Sequence, residues 1–247
     1  PTMLYFMTVA AGKGAPMPVN LKMIVTGGDR LNVQLDEKVK GVFGIGIIEG
    51  YGLTECSPVV AVNRNYKERR LGTVGPIVRG YEWKFLNDRN EDVTESGEGV
   101  LWVKGPSVTS GYFRDPVMTD ERFAGGWFNT GDYVRMDDGC LRILDRVTDI
   151  IIVGGFNVYP QEVEAIMNSH PAISEAVVVG MPHPVNGEVP KAFVRLHEGA
   201  RVTPREIIDF CKKHLAHFKV PRSIEFIEAF PLSSTGKVLR RMLRQQK

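Results

Sequence analysis

Paired cysteines are missing from this chain. Cys56, Cys140 and Cys211 are odd in number, far apart and form no C-x-x-C pair. That argues against a disulfide framework and a structural zinc site, and makes a reducing compartment the default. Long apolar runs are missing too. None approaches the roughly 20 residues that a membrane helix needs, and Ile150 to Val153 is only strand length. No signal peptide is read. The expected location is cytoplasmic, with peripheral association at the inner membrane surface left open. Charge of one sign is also missing. With 31 basic against 29 acidic side chains the formal charge is +2, which gives no reason to expect nucleic acid. The five histidines have no metal spacing. Gly44-x-Gly46-x-x-Glu49 fails the dinucleotide fingerprint at its third glycine. Cys56 has no histidine partner nearby to make it a nucleophile. One local excess stands out: from Ala216 to Lys247 there are seven Lys/Arg and two Glu. Such a tail suits phosphates or an acidic partner, or is simply a solvated surface.

What is present is ordinary globular composition, 43% hydrophobic and 24% charged over 247 residues, enough for one large domain or two modest ones. Leu21 to Val25 reads as a buried strand closed by Thr26-Gly27-Gly28-Asp29. Leu35, Val39, Val42 and Phe43 fall on one helical face. Gly46 to Glu49 reads as a second strand, ending at Gly50-Tyr51-Gly52. Strand, helix, strand predicts an α/β layer with parallel pairing, whose ligands sit beyond the carboxyl ends of the strands. From Gly72 to Arg146, short alternating runs (Glu82 to Leu86, Val100 to Val103, Cys140 to Leu144) separated by Gly, Asp and Asn predict antiparallel β structure.

After Arg146 the order reads β-α-β-β-α-β, a small α+β unit. Its strands are Ile150 to Val153, Glu175 to Met181, Ala192 to Leu196 and Arg222 to Glu228. Pro160 opens the first helix. Thr203-Pro204-Arg205-Glu206 is a capping box opening the second. Near the end stands "PLSSTGKVLRR", Pro231 to Arg241. It is not a P-loop, because Pro231 stands five residues before Gly236 and Val238 follows Lys237.

Four blocks carry chemistry: "EGYGLTE" (Glu49 to Glu55), "GWFNTGDYVRMDDG" (Gly126 to Gly139), "DRVTDIIIVGGFNVYPQEVE" (Asp145 to Glu164) and "SSTGK". In this order and spacing the chain closely resembles the adenylate-forming (AMP-binding) family, which includes acyl-CoA synthetases, luciferases and peptide-synthetase adenylation domains. The resemblance runs from about Leu21 to the end. "VTGGDRL" is similar to the family's adenine-side loop, with Gly27, Gly28 and Asp29. "GEGVLWVKGPSVTSGYFRDP" resembles the segment leading to the ribose-binding turn. "GGFNVYPQEVE" looks more like fatty acyl-CoA synthetases than peptide-synthetase domains.

The resemblance implies a two-step reaction. A carboxylate attacks the α-phosphate of MgATP, giving acyl-AMP and pyrophosphate, and a thiol then displaces AMP. It also implies roles. Tyr51, followed by Gly52, would lie against the purine; the plainer alternative is a turn tyrosine capping the core. Thr54 would donate to a phosphate oxygen and Glu55 would be the Mg²⁺ ligand, a hard oxygen donor; the alternative is a helix start. Asp132 would accept both ribose hydroxyls, against an ordinary Asx-turn. Arg146 would be the second ribose contact, against a surface salt bridge to Asp145 or Asp149. Thr148 falls at the family's interdomain hinge, which more often carries Asp or Lys. Gly155 would line the pantetheine tunnel, against a plain bend needed for positive φ. Lys237 would neutralise charge between carboxylate and phosphate during adenylation, on a loop that Gly236 and two serines leave free to reach in. The alternative is an exposed lysine in a basic tail.

The family's phosphate loop, "SGTTGxPKG", is absent from these residues. The chain is therefore expected to be the end of a large AMP-binding domain (1–146), α/β with a barrel-like β subdomain, followed by a complete small α+β C-terminal domain (147–247). The expected activity is a fatty acid–CoA ligase using ATP, Mg²⁺ and CoA. Two alternatives stay open: an acyl carrier protein as acceptor, perhaps within an acyltransferase, and a nucleotide- or partner-binding piece without turnover.

Overall fold

A computed structural model of the chain describes residues 1–16, 18, 20–233 and 236–245. It divides into two compact units, Pro1–Ile143 and Leu144–Lys247.

The first unit begins with helix α1 (Thr2–Gly12), followed by β1 (Ile24–Thr26), α2 (Val33–Phe43), β2 (Ile47–Gly52) and β3 (Val59–Val62). The three strands form one sheet in the order β1-β2-β3. β1 and β2 are parallel, and β3 runs antiparallel to β2. The predicted strand, helix, strand unit is therefore there, but β1 is shorter than Leu21 to Val25 and β2 does not stop at Glu49. Asn32 caps α2 by accepting from the Gln34 N–H at 2.8 Å, and Gly44 ends it in the left-handed region at φ 72. The buried face of α2 carries Leu35 and Val39 as expected, while Val42 is exposed. Asp36 takes part in that face instead. It accepts from the Ile47 N–H at 2.7 Å and from Arg69 Nη1 at 2.8 Å. Burial alone would raise its pKa, but the Arg69 and Ile47 hydrogen bonds outweigh that and hold it below the usual value.

The rest of this unit is antiparallel, as expected. β4 (Glu82–Leu86), β5 (Glu98–Lys104), β6 (Phe123–Ala124) and β7 (Trp127–Asp137) form a sheet in the order β4-β5-β7-β6, and β8 (Cys140–Arg146) pairs with β7. A short helix, α3 (Pro116–Arg122), precedes β6. Phe85, Leu101, Val103, Phe128, Val134 and Leu141 fill the core between these strands and β3.

The second unit opens with a hairpin, β9 (Ile151–Val153) and β10 (Phe156–Val158), then α4 (Pro160–Met167), β11 (Ile173–His183), β12 (Gly187–Leu196), α5 (Pro204–His214), β13 (Ser223–Phe226) and α6 (Arg240–Leu243). The sheet order is β10-β9-β12-β11, with β13 parallel to β12. α5 carries the full reciprocal capping box: Thr203 accepts from the Glu206 N–H while Glu206 accepts from the Thr203 N–H at 2.7 Å. It packs Ile207 and Cys211 onto Val178, Ala192 and Val194 of the sheet, beside Val163 and Met167 of α4. The predicted order omits β10 and α6. The whole is mixed α/β followed by α+β.

The basic tail is less free than a charge count suggests. Arg240 forms two bonds to the Glu164 carboxylate, at 2.6 and 3.0 Å, and donates to the Val178 carbonyl at 2.8 Å. Arg244 donates from both Nη atoms to the Thr148 carbonyl at 3.0 Å, and to Asp149 at 3.3 Å. These two cations hold the C-terminal helix to the body of its own unit. Among the described residues no helix is long and apolar enough to cross a membrane.

Candidate active site

The carboxyl end of β2 brings the first cluster together. Gly50-Tyr51-Gly52 is strand rather than turn. Glycine is needed at 52 for close approach: a Cβ there would stand 1.8 Å from the Pro58 carbonyl oxygen. That same oxygen accepts from the Leu53 N–H at 2.8 Å. Tyr51, half-buried, donates its hydroxyl to the carboxylate of Asp132, 81 residues further along the chain.

Asp132 sits in β7 where the register with β5 breaks. Val100 pairs with Tyr133, but Trp102 pairs with Asn129, so β7 carries extra residues there. Gly131 supplies the φ of 72 that this bulge requires. Asn129 Oδ1 accepts from the Gly131 N–H at 2.9 Å, and Thr130 Oγ1 accepts from the Asp132 N–H at 3.1 Å. The Asx-type bond thus belongs to Asn129, not to Asp132, whose carboxylate is aimed at Tyr51. Asp132 is 2% exposed. An aromatic ring whose hydroxyl is fixed to a buried carboxylate can offer its face to a base and the carboxylate to neighbouring hydroxyls.

Thr54 and Glu55 follow Gly52 in a single 3₁₀ turn, Thr54–Cys56. The N-cap position is Leu53, without a side-chain cap, so Thr54 does not cap this turn and stands exposed. Glu55 accepts the Tyr112 hydroxyl at 2.7 Å through Oε1, and its backbone carbonyl accepts from the Thr109 N–H at 2.8 Å. Burial, then the bond to Glu55, pushes the Tyr112 hydroxyl up to about 12. The neighbouring Cys56 is fully buried, and burial pushes its thiol up to about 11, which leaves it a poor nucleophile.

Gly27, Gly28 and Asp29 form the turn after β1. A Cβ on Gly27 would come within 2.9 Å of the Gly50 carbonyl oxygen, and Gly28 has φ 82. Asp29 is exposed and accepts from the Arg30 N–H at 2.8 Å. This turn is tied to β2 by Glu49, whose Oε1 accepts from the Leu31 N–H at 3.0 Å. Glu49 is 8% exposed, and burial raises its pKa despite that bond. No motif assigns Glu49 a role, and its one local signal is a carboxylate closing the apolar run Ile45 to Ile48.

The remaining candidates lie in the second unit. Arg146 is exposed, and its backbone N–H donates to Asp145 Oδ1 at 2.9 Å. Asp145 Oδ2 also accepts from the Gln161 N–H at 3.0 Å, and burial pushes the carboxyl up to about 6. Thr148 lies in the one-turn helix Val147–Asp149, its carbonyl held by Arg244. Gly154 and Gly155 have φ 58 and 88 and join β9 to β10. They are the two central residues of a hairpin turn of the type that needs positive φ at both. The bend geometry is present there. Lys237 is exposed, and its backbone bonds to Ser233: Ser233 N donates to the Lys237 carbonyl at 2.8 Å, and Lys237 N donates to Ser233 Oγ at 3.1 Å. Leu232 and Val238 form a bridge. Ser234 and Thr235 of "SSTGK" lie outside the described residues.

Sequence comparison adds the family. The model for AMP-binding enzymes matches residues 1–113, and that for the AMP-binding enzyme C-terminal domain matches residues 162–237. The chain belongs to the AMP-binding enzyme family. Among AMP-binding relatives, the long-chain-fatty-acid–CoA ligase of Yersinia pestis is 41% identical over 92% of this chain and 40% of its own length. Solved structures are similar as well, two of them as follows. ATP-bound MatB from Rhodopseudomonas palustris is 32% identical with a TM-score of 0.83, over 90% of this chain and 45% of that one. The o-succinylbenzoate CoA synthetase of Bacillus subtilis, in complex with its acyl-adenylate intermediate, is 31% identical with a TM-score of 0.84, over 98% and 50%. This chain therefore spans less than half the length of the ligase it matches.

For a metal, the donor set fits Mg²⁺. Among the described residues no group of three or more His, Cys, Asp or Glu could form a protein cage. Mg²⁺ does not ask for one, since it is commonly held by one or two carboxylates plus substrate phosphates. Glu55 is a half-buried carboxylate oriented through one oxygen.

Proposed function

We propose that the protein containing this chain is an ATP-dependent acid–thiol ligase that activates a fatty acid as acyl-AMP and passes the acyl group to CoA. The observation that carries this reading is the Tyr51 hydroxyl on the Asp132 carboxylate. It joins the residues to which the family resemblance assigns base and ribose contacts. In this reading the base lies on the Tyr51 ring and the ribose hydroxyls bind Asp132 and Arg146. The turn of Gly27, Gly28 and Asp29 borders the adenine. Thr54 donates to a phosphate oxygen. Glu55 holds Mg²⁺, which supplies charge neutralisation on the phosphates. Lys237 offsets the charge that builds between the attacking carboxylate and the α-phosphate. Gly155 borders the thiol's path in the second step. Residues 1–146 act as the end of the large domain and 147–247 as the small mobile one, turning at Thr148.

The fatty-acid assignment rests on the likeness to the Yersinia pestis long-chain-fatty-acid–CoA ligase. A carrier protein as acceptor drew its support from the basic tail. Arg240 and Arg244 are already engaged by Glu164, Thr148 and Asp149, which weakens that support.

The test is a pyrophosphate-release and thioester assay of the complete protein with MgATP, a fatty acid series, and CoA against acyl carrier protein. Acid-dependent pyrophosphate release and thioester on CoA are expected. The 247-residue chain alone, which lacks the phosphate-loop sequence, should stay at background. Thioester formed only on the carrier protein would replace the acceptor. Turnover by the isolated chain would overturn the division of labour described above.

A further inference from the structure

We propose that Tyr112 is a positioning residue for Glu55, its hydroxyl holding the carboxylate in the one orientation that meets a Mg²⁺–triphosphate. This rests on the reading of Glu55 as the metal-holding group.

The support is geometric. A glutamate has three rotatable bonds, and fixing them costs side-chain entropy when the ligand arrives unless the protein has fixed them beforehand. Glu55 is fixed twice by one segment: Tyr112 Oη donates to Oε1 at 2.7 Å, and the Thr109 N–H donates to the Glu55 carbonyl at 2.8 Å. The segment is itself braced. The Tyr112 N–H donates to Thr119 Oγ1 at 2.9 Å, and Thr119 Oγ1 donates to the Asp115 carbonyl at 2.7 Å. Asp115 caps α3 by accepting from the Met118 N–H at 3.0 Å. Gly111, at φ 152, passes so close to Thr119 that a Cβ would stand 2.5 Å from its methyl carbon. The Tyr112 ring meets Phe123 edge-on at 5.7 Å. Backbone and ring are thus placed by α3 and β6, and the hydroxyl is what they deliver. A mere core tyrosine would require the ring but not this partner.

Tyr112→Phe removes the hydroxyl and keeps the ring against Phe123. Phe123→Leu loosens the ring packing and keeps the hydroxyl. In the complete enzyme with ATP, Mn²⁺ binding is read by electron paramagnetic resonance, beside the Mg²⁺ concentration that half-saturates pyrophosphate release, the KM for CoA and a melting curve. Removing a hydrogen-bonding partner that orients a metal ligand typically costs about 10–100-fold in metal affinity, so Tyr112→Phe should weaken metal binding by about tenfold or more. The KM for CoA should hold. Phe123→Leu, which keeps the hydroxyl, should weaken metal binding less than Tyr112→Phe while lowering the melting point at least as much. Glu55→Gln is the reference arm. If Glu55→Gln weakens metal binding and Tyr112→Phe does not, the positioning role is wrong. If Phe123→Leu weakens it as much as Tyr112→Phe, the role is structural only. If Glu55→Gln itself has no effect, the metal reading of Glu55 falls first and this proposal with it.

Discussion

Lys237→Ala in the complete enzyme should slow acyl-AMP formation by about 10²–10³ while leaving thioester formation from supplied acyl-AMP intact. The asymmetry follows from where charge appears. In adenylation, an anionic carboxylate approaches an anionic phosphate, and the new bond concentrates negative charge between them. In the second step the thiol attacks the carbonyl carbon, the bond from that carbon to the bridging oxygen breaks and AMP leaves as an anion, so two anions no longer have to be brought together and the cation's first task is over. The structure changes one element of the expectation. The Lys237 backbone is tied to its unit by two Ser233–Lys237 bonds and by the Leu232–Val238 bridge. It is therefore delivered by its unit as a whole. Ser233→Ala, which removes the Oγ that accepts from the Lys237 N–H, should give a smaller loss in the same step. Equal damage to both half-reactions by Lys237→Ala would assign the lysine a different role.

Gly155→Leu should do the opposite, lowering thioester formation roughly 10²-fold while the acyl-AMP burst survives. Part of any effect will be strain. Gly155 has φ 88, where a branched side chain costs about 1–2 kcal/mol. Space is not the obstacle, since a Cβ on Gly155 would meet nothing within 4 Å. Gly155→Asn separates strain from blockade, because asparagine tolerates the left-handed region and is smaller. The tunnel role predicts that Asn is mild and Leu severe in the second step alone. A plain hairpin turn predicts that both steps fall together, in proportion to the loss of melting temperature. Disappearance of the burst in a protein that stays folded would exclude the tunnel role.

Local signals in the sequence are legible where a single residue carries the physics. Thr203, Pro204 and Glu206 specify the start of α5 outright, and Pro160 the start of α4. Glycine was the harder sign. At Gly50 and Gly52 it marks close approach within a strand, so β2 continues where a turn was expected. At Gly154 and Gly155 it marks a hairpin whose return strand, Phe156–Val158, is too short to show a period. α1 escaped because Met3, Tyr5, Phe6 and Val9 are all apolar and all exposed, leaving no polar face to reveal a helix. Of the candidate site, Tyr51 and Asp132 were named through family resemblance, but their mutual bond spans 81 residues and has no local trace. Tyr112 and Glu49 were missed for the same reason: their roles exist only against Glu55 and Leu31, brought in by the fold. Counting charge along the tail likewise could not see Glu164 and Asp149, which lie 76 and 95 residues from the arginines they hold.

In the proposed reaction a carboxylate oxygen attacks the α-phosphate of ATP. That attack is tested most directly with fatty acid labelled with ¹⁸O in its carboxylate, given to the complete enzyme with MgATP and CoA. The attacking oxygen bonds to the α-phosphorus and pyrophosphate leaves. The thiol then attacks the carbonyl carbon, and the bond broken is the one between that carbon and the bridging oxygen. One labelled oxygen should therefore appear in AMP, with none in pyrophosphate, by mass spectrometry. Label in orthophosphate, with ADP as the nucleotide product, would contradict adenylation and the account built on it.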